Sequence, residues 1–262
     1  VDEVVRLLFL GDVVGASGRL ALQIFLPELK KRYAPDFVLV NGENAAGGYG
    51  LTEKVAEEIF SLGVDLITSG NHIWKKEFIP YLVRSDRVLR PANYGPGAPG
   101  RGYGLINKEG KKLGVINLEG RIFMRPLENP FLVGKELAEM LKEETPFIFV
   151  DFHAEATSEK IALGYFLDGL VSAVVGTHTH VQTSDETILP KGTGFITDVG
   201  MCGSVHSIIG MRIDQALELY TTMVGRKLEV EKSPPVKVEG VYLEFDEQGK
   251  TRYIERIRLL SD

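Results

Sequence analysis

A single cysteine in 262 residues, Cys202, removes any internal disulfide and fits a reducing compartment. Its expected state is that of a small buried hydrophobe. Long apolar runs are missing as well: no stretch approaches the roughly 20 residues of a membrane-spanning helix, so no membrane partner is expected. Basic charge is scarce, with 30 Lys and Arg against 36 Asp and Glu and a net charge of -6. That balance argues against a general electrostatic grip on duplex nucleic acid. An anionic substrate must then be held locally, most simply by metal ions. The start, Val1-Asp-Glu-Val-Val-Arg-Leu-Leu-Phe-Leu10, is too short and too acidic for a secretory signal, and the cytoplasm is the expected location. Two glycine-bearing stretches, Gly11-Asp-Val-Val-Gly15 and Gly47-Gly-Tyr-Gly50, match neither a P-loop nor a dinucleotide fingerprint.

What is present is an alternation of apolar runs and helical patterns. Arg6 to Leu10, Phe37 to Val40 and Val64 to Ser69 read as unalternated strands. Between them, Ser17 can cap a helix to about Arg32 with Leu20, Ile24 and Leu29 on one face, and Thr52 can cap another to about Leu62. Such strands indicate a parallel sheet covered on both faces. A short helix is expected over Glu77 to Leu82, and others over Leu132 to Lys142, Ile161 to Asp168 and Asp214 to Val224. Hairpins are expected over residues 102–118 and 236–259, with a glycine-rich loop around Gly200-Met-Cys-Gly203. No linker or internal repeat divides the chain. The expected architecture is α/β, one domain over residues 1–262 with two packed mixed sheets and helices outside. A doubly wound single sheet comes second.

The chemistry lies where the apolar runs end. Asp12 follows the first run, Glu43 and Asn44 the second, and Asn71 and His72 the third. His153 closes Pro146-Phe-Ile-Phe-Val-Asp-Phe-His153, and His178 and His180 close the run from Leu170. Each alone is a weak signal, since an Asp or Asn after a strand often caps a turn. Together they describe a rim along one sheet edge. His178 and His180, two apart, would face one cavity if they sat in a regular strand. Histidines with two carboxylates form a mixed N/O donor set suited to Fe, Mn or Zn. Six or more donors exceed the needs of one tetrahedral ion and suffice for two if a carboxylate bridges. Glu43, central in the set and carrying two oxygens, is the natural bridge. Two metals about 3.5–4 Å apart can clamp a phosphoryl group and activate a water. His72 would point differently from its neighbour Asn71, toward substrate, as a general acid or as a histidine orienting a ligand. His206 has the weakest case, and Tyr94 or Arg101 in the 93–102 loop could overhang the pocket.

These five ordered motifs, Gly11-Asp-Val-Val-Gly15, Asn41-Gly-Glu-Asn44, Gly70-Asn-His-Ile-Trp74, Asp151-Phe-His153 and Gly176-Thr-His-Thr-His180, resemble the calcineurin-like metallophosphoesterase superfamily. Within it they are similar to the YmdB-like branch of 2′,3′-cyclic-nucleotide phosphodiesterases. The resemblance implies a four-layer α-β-β-α sandwich. It implies one metal on Asp12, Glu43, Asn44 and His180 and a second on Glu43, Asn71, His153 and His178, with His72 as proton donor. The common superfamily pattern begins Asp-x-His and bridges with Asp; here Asp12-Val-Val14 and Glu43 stand instead, as the YmdB-like branch has them. Iron is the metal so implied, while the donors alone admit manganese. The substrate so implied is a cyclic nucleotide or related small phosphodiester, and a homo-oligomer is suggested at family level only. Two other functions remain open: a phosphomonoesterase or nuclease on the same metals, and a regulatory module that binds nucleotide or a protein partner such as an endoribonuclease.

Overall fold

Strand β1 (Val5–Leu10) explains the layering. Across its pleat Leu8 and Leu10 turn to one face and Leu7 and Phe9 to the other, all fully buried. A strand buried on both faces needs cover on both sides. On one side lie helices α1 (Gly15–Tyr33) and α2 (Glu53–Ser61), whose Leu22, Leu26, Ala56 and Ile59 pack with Leu8, Leu10 and Val40. On the other side lies a second sheet, and Phe9 meets Phe149 with ring centroids 4.9 Å apart. The structure, a computed structural model, describes residues 4–75 and 77–262. The acidic start at residues 1–3 lies outside them.

The first sheet has seven strands. Its order is β2 (Asp12–Val13), β11 (Met201–Ser204), β12 (Val236–Phe245), β1, β3 (Phe37–Asn41) and β4 (Leu66–Thr68), with β13 (Thr251–Leu260) also on β12. β1, β3 and β4 are parallel, and β12 is antiparallel to β1. The second sheet has six, in the order β5 (Tyr103–Lys108), β6 (Lys111–Glu119), β7 (Ile148–His153), β8 (Ala173–Thr177), β10 (Gly194–Ile196) and β9 (Thr187–Ile188). β6, β7, β8 and β10 are parallel. Behind it, α4 (Pro130–Lys142) and α5 (Thr157–Phe166) bury Ala138, Leu141 and Leu163 against Ile116, Ile148 and Val150. The result is four layers, helices, sheet, sheet, helices, and not a single doubly wound sheet. Among the described residues no helix is long and apolar enough to cross a membrane.

Local chemistry explains most boundaries. Thr52 caps α2, its Oγ1 accepting from Val55 N at 3.2 Å. The β5–β6 hairpin turns through Glu109 and Gly110, both with positive φ, as a two-residue loop requires. Some expectations differ. α1 starts at Gly15, so Ser17 lies inside the helix and bonds the carbonyl of Glu231 at 2.8 Å instead of capping. Its core face runs through Ala21, Leu22, Phe25, Leu26 and Leu29, while Leu20 and Ile24 are exposed. The spacing 20/24 was one face of a helix, but the wrong one. Residues 200–203 do not form a simple loop, because Met201–Ser204 is strand β11, paired to β2 and β12. At Gly18 a Cβ would lie 2.4 Å from the carbonyl oxygen of Cys202, so glycine lets α1 approach β11. The short helix α3 (Ile79–Arg84) and α5 are offset by two and four residues at their starts from the segments read in the sequence. Burial pushes the Cys202 thiol up to about 12, consistent with an inert hydrophobe.

Candidate metal centre

The carboxy ends of β1, β3, β4, β7 and β8 bring their last or following residues to one place. His153 Nε2 lies 2.9 Å from Glu43 Oε1, 3.2 Å from Asn71 Oδ1 and 3.1 Å from His178 Nδ1. Four donor atoms thus converge. Beside them, His180 Nε2 stands 2.9 Å from Asp12 Oδ2 and 3.4 Å from Asn44 Nδ2, and that nitrogen is 3.2 Å from Glu43 Oε1. Glu43 touches both groups. Gly70 makes room for the first: a Cβ there would lie 2.1 Å from His153 Cδ2.

Each histidine of the cluster spends one ring nitrogen on an acceptor facing away. His153 Nδ1 meets Thr177 Oγ1 at 2.9 Å, and that hydroxyl in turn donates to Asp151 Oδ1 at 2.7 Å. His180 Nδ1 meets the carbonyl of Ile209 at 2.9 Å, and His178 Nε2 meets Glu155 Oε2 at 2.9 Å. Those contacts leave His153 Nε2, His180 Nε2 and His178 Nδ1 turned toward the carboxylates. Paired imidazoles of this kind present an unprotonated nitrogen to a metal. Asp12 is fully buried, yet beyond the His180 ring neither of its oxygens has a hydrogen-bond partner among the described residues. A buried carboxylate so placed calls for positive charge. Glu43, His153 and His178 present donor atoms within 4.8 Å of one another. The donor chemistry therefore fits transition-metal ions.

The electrostatics agree. Burial would raise the Glu43 pKa, but His153 and His72 outweigh it and hold the carboxyl well below its usual range. Burial likewise opposes charge on His153, yet Glu43, with Asp12 and Asp151, pushes its pKa up to about 10. His178 goes the other way, lowered to about 3 by burial and by His153. A cation that takes over the balancing of Glu43 must displace the His153 proton.

Asn71 and His72 diverge as expected of neighbours. Asn71 faces His153, whereas His72 lines a cavity of about 290 Å³ with Tyr49 edge-on at 5.3 Å. His72 is tied to the centre by its backbone N–H, which donates to Glu43 Oε2 at 2.9 Å, and by Nδ1, 2.6 Å from Asn44 Oδ1. Asn44 thus turns its amide oxygen to His72 and its nitrogen to His180. A ligand role requires the opposite orientation of that amide, which also presents its nitrogen to His72 Nδ1. His206 is exposed. Tyr94 donates its hydroxyl to Glu119 Oε1 at 2.8 Å, and Arg101 lines a different cavity that contains none of these residues.

One expectation about the histidine pair needs correcting. β8 ends at Thr177, and His178 and His180 have φ of 104° and 66°, so they share the cavity through a strained loop and not through strand alternation. Thr179 between them is anchored by its N–H and Oγ1 to Asp198 Oδ2 at 3.1 and 2.7 Å. The same oxygen pairs with Lys160 Nζ at 2.9 Å, both side chains being buried. Sequence reasoning missed this pair. Asp198 did carry the signal used elsewhere, a polar residue ending an apolar run at Gly194-Phe-Ile-Thr-Asp198; Lys160 carried none.

Two packed mixed sheets flanked by helices, with a His, Asn and carboxylate cluster at their strand ends, define a calcineurin-like metallophosphoesterase fold. A 5′-nucleotidase precursor from Thermus thermophilus shares that fold at a TM-score of 0.60 and 15% identity, over 98% of this chain and 54% of that one. More specifically, the chain belongs to the YmdB-like protein family, whose model matches residues 8–257. It is 48% identical over 259 residues, 98% of both chains, to a 2′,3′-cyclic-nucleotide 2′-phosphodiesterase of Bacillus subtilis (strain 168). It also superposes on a structure described as a novel phosphatase from Mycoplasma pneumoniae, with a TM-score of 0.93, 37% identity and coverage of 100% of this chain and 95% of that one.

Proposed function

We propose that this chain is a metal-dependent phosphodiesterase that opens the ring of 2′,3′-cyclic nucleotides. The convergence of Glu43, Asn71, His153 and His178 on one point, with Asp12 and His180 alongside, carries that reading. Asp12, Glu43, Asn44 and His180 would hold one ion and Glu43, Asn71, His153 and His178 the other, with Glu43 shared. Iron is favoured by resemblance, and manganese suits the same donors. Ions so held supply Lewis acidity to the phosphoryl group and make water a nucleophile near neutral pH.

The protein's own groups do the rest. His72 delivers a proton to the departing ribose oxygen. Thr177 and the carbonyl of Ile209 hold His153 and His180 in the tautomers that leave Nε2 free. The Lys160–Asp198 pair holds the backbone between His178 and His180. The whole chain, 1–262, acts as one catalytic domain, and the acidic net charge leaves anion binding to the centre. The single buried thiol suits a reducing compartment, and the cytoplasm is the location proposed.

Assay of the metal-reconstituted protein on the four ribonucleoside 2′,3′-cyclic phosphates tests the reading. It predicts a nucleoside monophosphate as the product, with no free phosphate. Release of inorganic phosphate from monoesters, with cyclic diesters left intact, would make it a phosphomonoesterase instead.

A further inference from the structure

The cavity over the centre has walls that the proposed chemistry does not use. At about 290 Å³ it is lined by His72, His178 and His180 and also by Tyr49, Ile209 and Tyr220. That volume is at the lower end of pockets for small organic ligands, roughly 300–1,000 Å³. Ile208–Met211 form a tight hairpin turn, with Ile208 and Met211 exchanging backbone hydrogen bonds of 2.8 and 2.9 Å. At its centre Ile209 and Gly210 have φ of 46° and 101°. A turn with positive φ at both central residues favours Asn-Gly or Gly-Gly, and a β-branched residue there is strained. Gly210 satisfies the rule; Ile209 breaks it.

The Ile209 side chain is 49% exposed, and its carbonyl, which holds His180 Nδ1, is one that any residue could supply. Strain of this kind persists where a side chain has a functional contact to make. On α6 (Ile213–Thr222), Tyr220 is 67% exposed and lines the same space. Tyr49 completes the wall, held edge-on to His72.

We propose that Ile209 and Tyr220, with Tyr49, form a nucleobase subsite in which the base lies between an aliphatic and an aromatic wall while the ribose phosphate reaches the centre. This rests on the cyclic-nucleotide reading and specifies how such a substrate is gripped. Stacking on side chains is worth roughly 5- to 150-fold in affinity per base. A ligand that lacks the base forfeits it.

The test is steady-state kinetics of the metal-loaded wild type, Tyr220→Ala and Ile209→Asn on adenosine 2′,3′-cyclic phosphate and on ribose 2′,3′-cyclic phosphate, which has no base. The quantity read is the ratio of the two kcat/KM values. The wild type should prefer the nucleoside, and each variant should lose about ten-fold of that preference, mainly through KM. Ile209→Asn should at the same time raise the thermal midpoint, because asparagine suits the left-handed turn position. A merely structural Ile209 would not combine a more stable protein with weaker nucleoside preference. A preference that is absent in the wild type, or unchanged in both variants, overturns the subsite and leaves the phosphodiesterase reading standing. A wild type that hydrolyses neither compound overturns both.

Discussion

Glu43→Ala is expected to empty both metal positions at once and to lower turnover of a 2′,3′-cyclic nucleotide by about a thousand-fold or more. Glu43 is a carboxylate within reach of both donor groups: Oε1 is 2.9 Å from His153 Nε2 and 3.2 Å from Asn44 Nδ2, which itself faces His180. On the proposed ligand set, its loss would take a ligand from each ion and leave Asp12 as the only carboxylate of that set. It also removes the main partner that raises the His153 pKa, so the imidazole next to Asn71 and His178 loses its proton more easily. The backbone should tolerate the change, since what the Glu43 side chain accepts comes from the site itself. Elemental analysis beside turnover reads the outcome. A variant that keeps one full metal equivalent would show that Glu43 does not bridge, and a variant that keeps full activity would remove it from the chemistry.

His72→Ala should separate binding from proton transfer. Metal content should stay close to that of the wild type, because alanine keeps the backbone N–H that bonds Glu43 Oε2, and the ring contacts it loses, Nδ1 to Glu43 Oε1 at 3.4 Å and to Asn44 Oδ1 at 2.6 Å, are not proposed metal bonds. Its ring is 26% exposed and faces the cavity, where a leaving oxygen would depart. A positioned general acid contributes roughly 10²–10⁴-fold. The variant's kcat on a cyclic nucleotide, whose leaving group is a basic ribose oxygen, should fall by about that factor. On a 4-nitrophenyl phosphodiester, whose leaving group needs no proton, the deficit should shrink to within about ten-fold. Equal losses on both substrates would assign His72 to positioning Asn44, and full activity on the cyclic nucleotide would dismiss it as the acid.

Much of the frame was legible in sequence because it depends on short-range patterns. Unalternated runs such as Phe37–Val40 can be buried on both faces only in a covered sheet, and a polar residue after each run marks its carboxy end. Parallel pairing then gathers Asp12, Glu43 and Asn71 at one edge of the first sheet, and the packed second sheet brings His153 beside them, although up to 141 positions separate them. Elements stabilised by distant partners stayed hidden. β2 and β11 are two and four residues long, and their pairing with each other and with β12 makes them strands. The face of α1 was misjudged at Leu20 and Ile24 because apolar residues occur on both of its sides. The cluster at the strand ends was readable as a set, but its geometry was not. His178 and His180 reach one cavity through positive φ angles fixed by Thr179, Asp198 and Lys160, contacts that no local spacing encodes. The cavity wall at Ile209 and Tyr220 likewise comes from a segment without any catalytic motif.

The most direct test is metal quantified per chain in protein purified under conditions that prevent iron oxidation, then titrated with iron or manganese while hydrolysis of a 2′,3′-cyclic nucleotide is followed. Activity should rise with occupancy and level off at about two ions per chain, as a Glu43-bridged pair requires. Full activity in metal-free protein, or no tight binding after reconstitution with either metal, would contradict a catalytic metal centre at these strand ends.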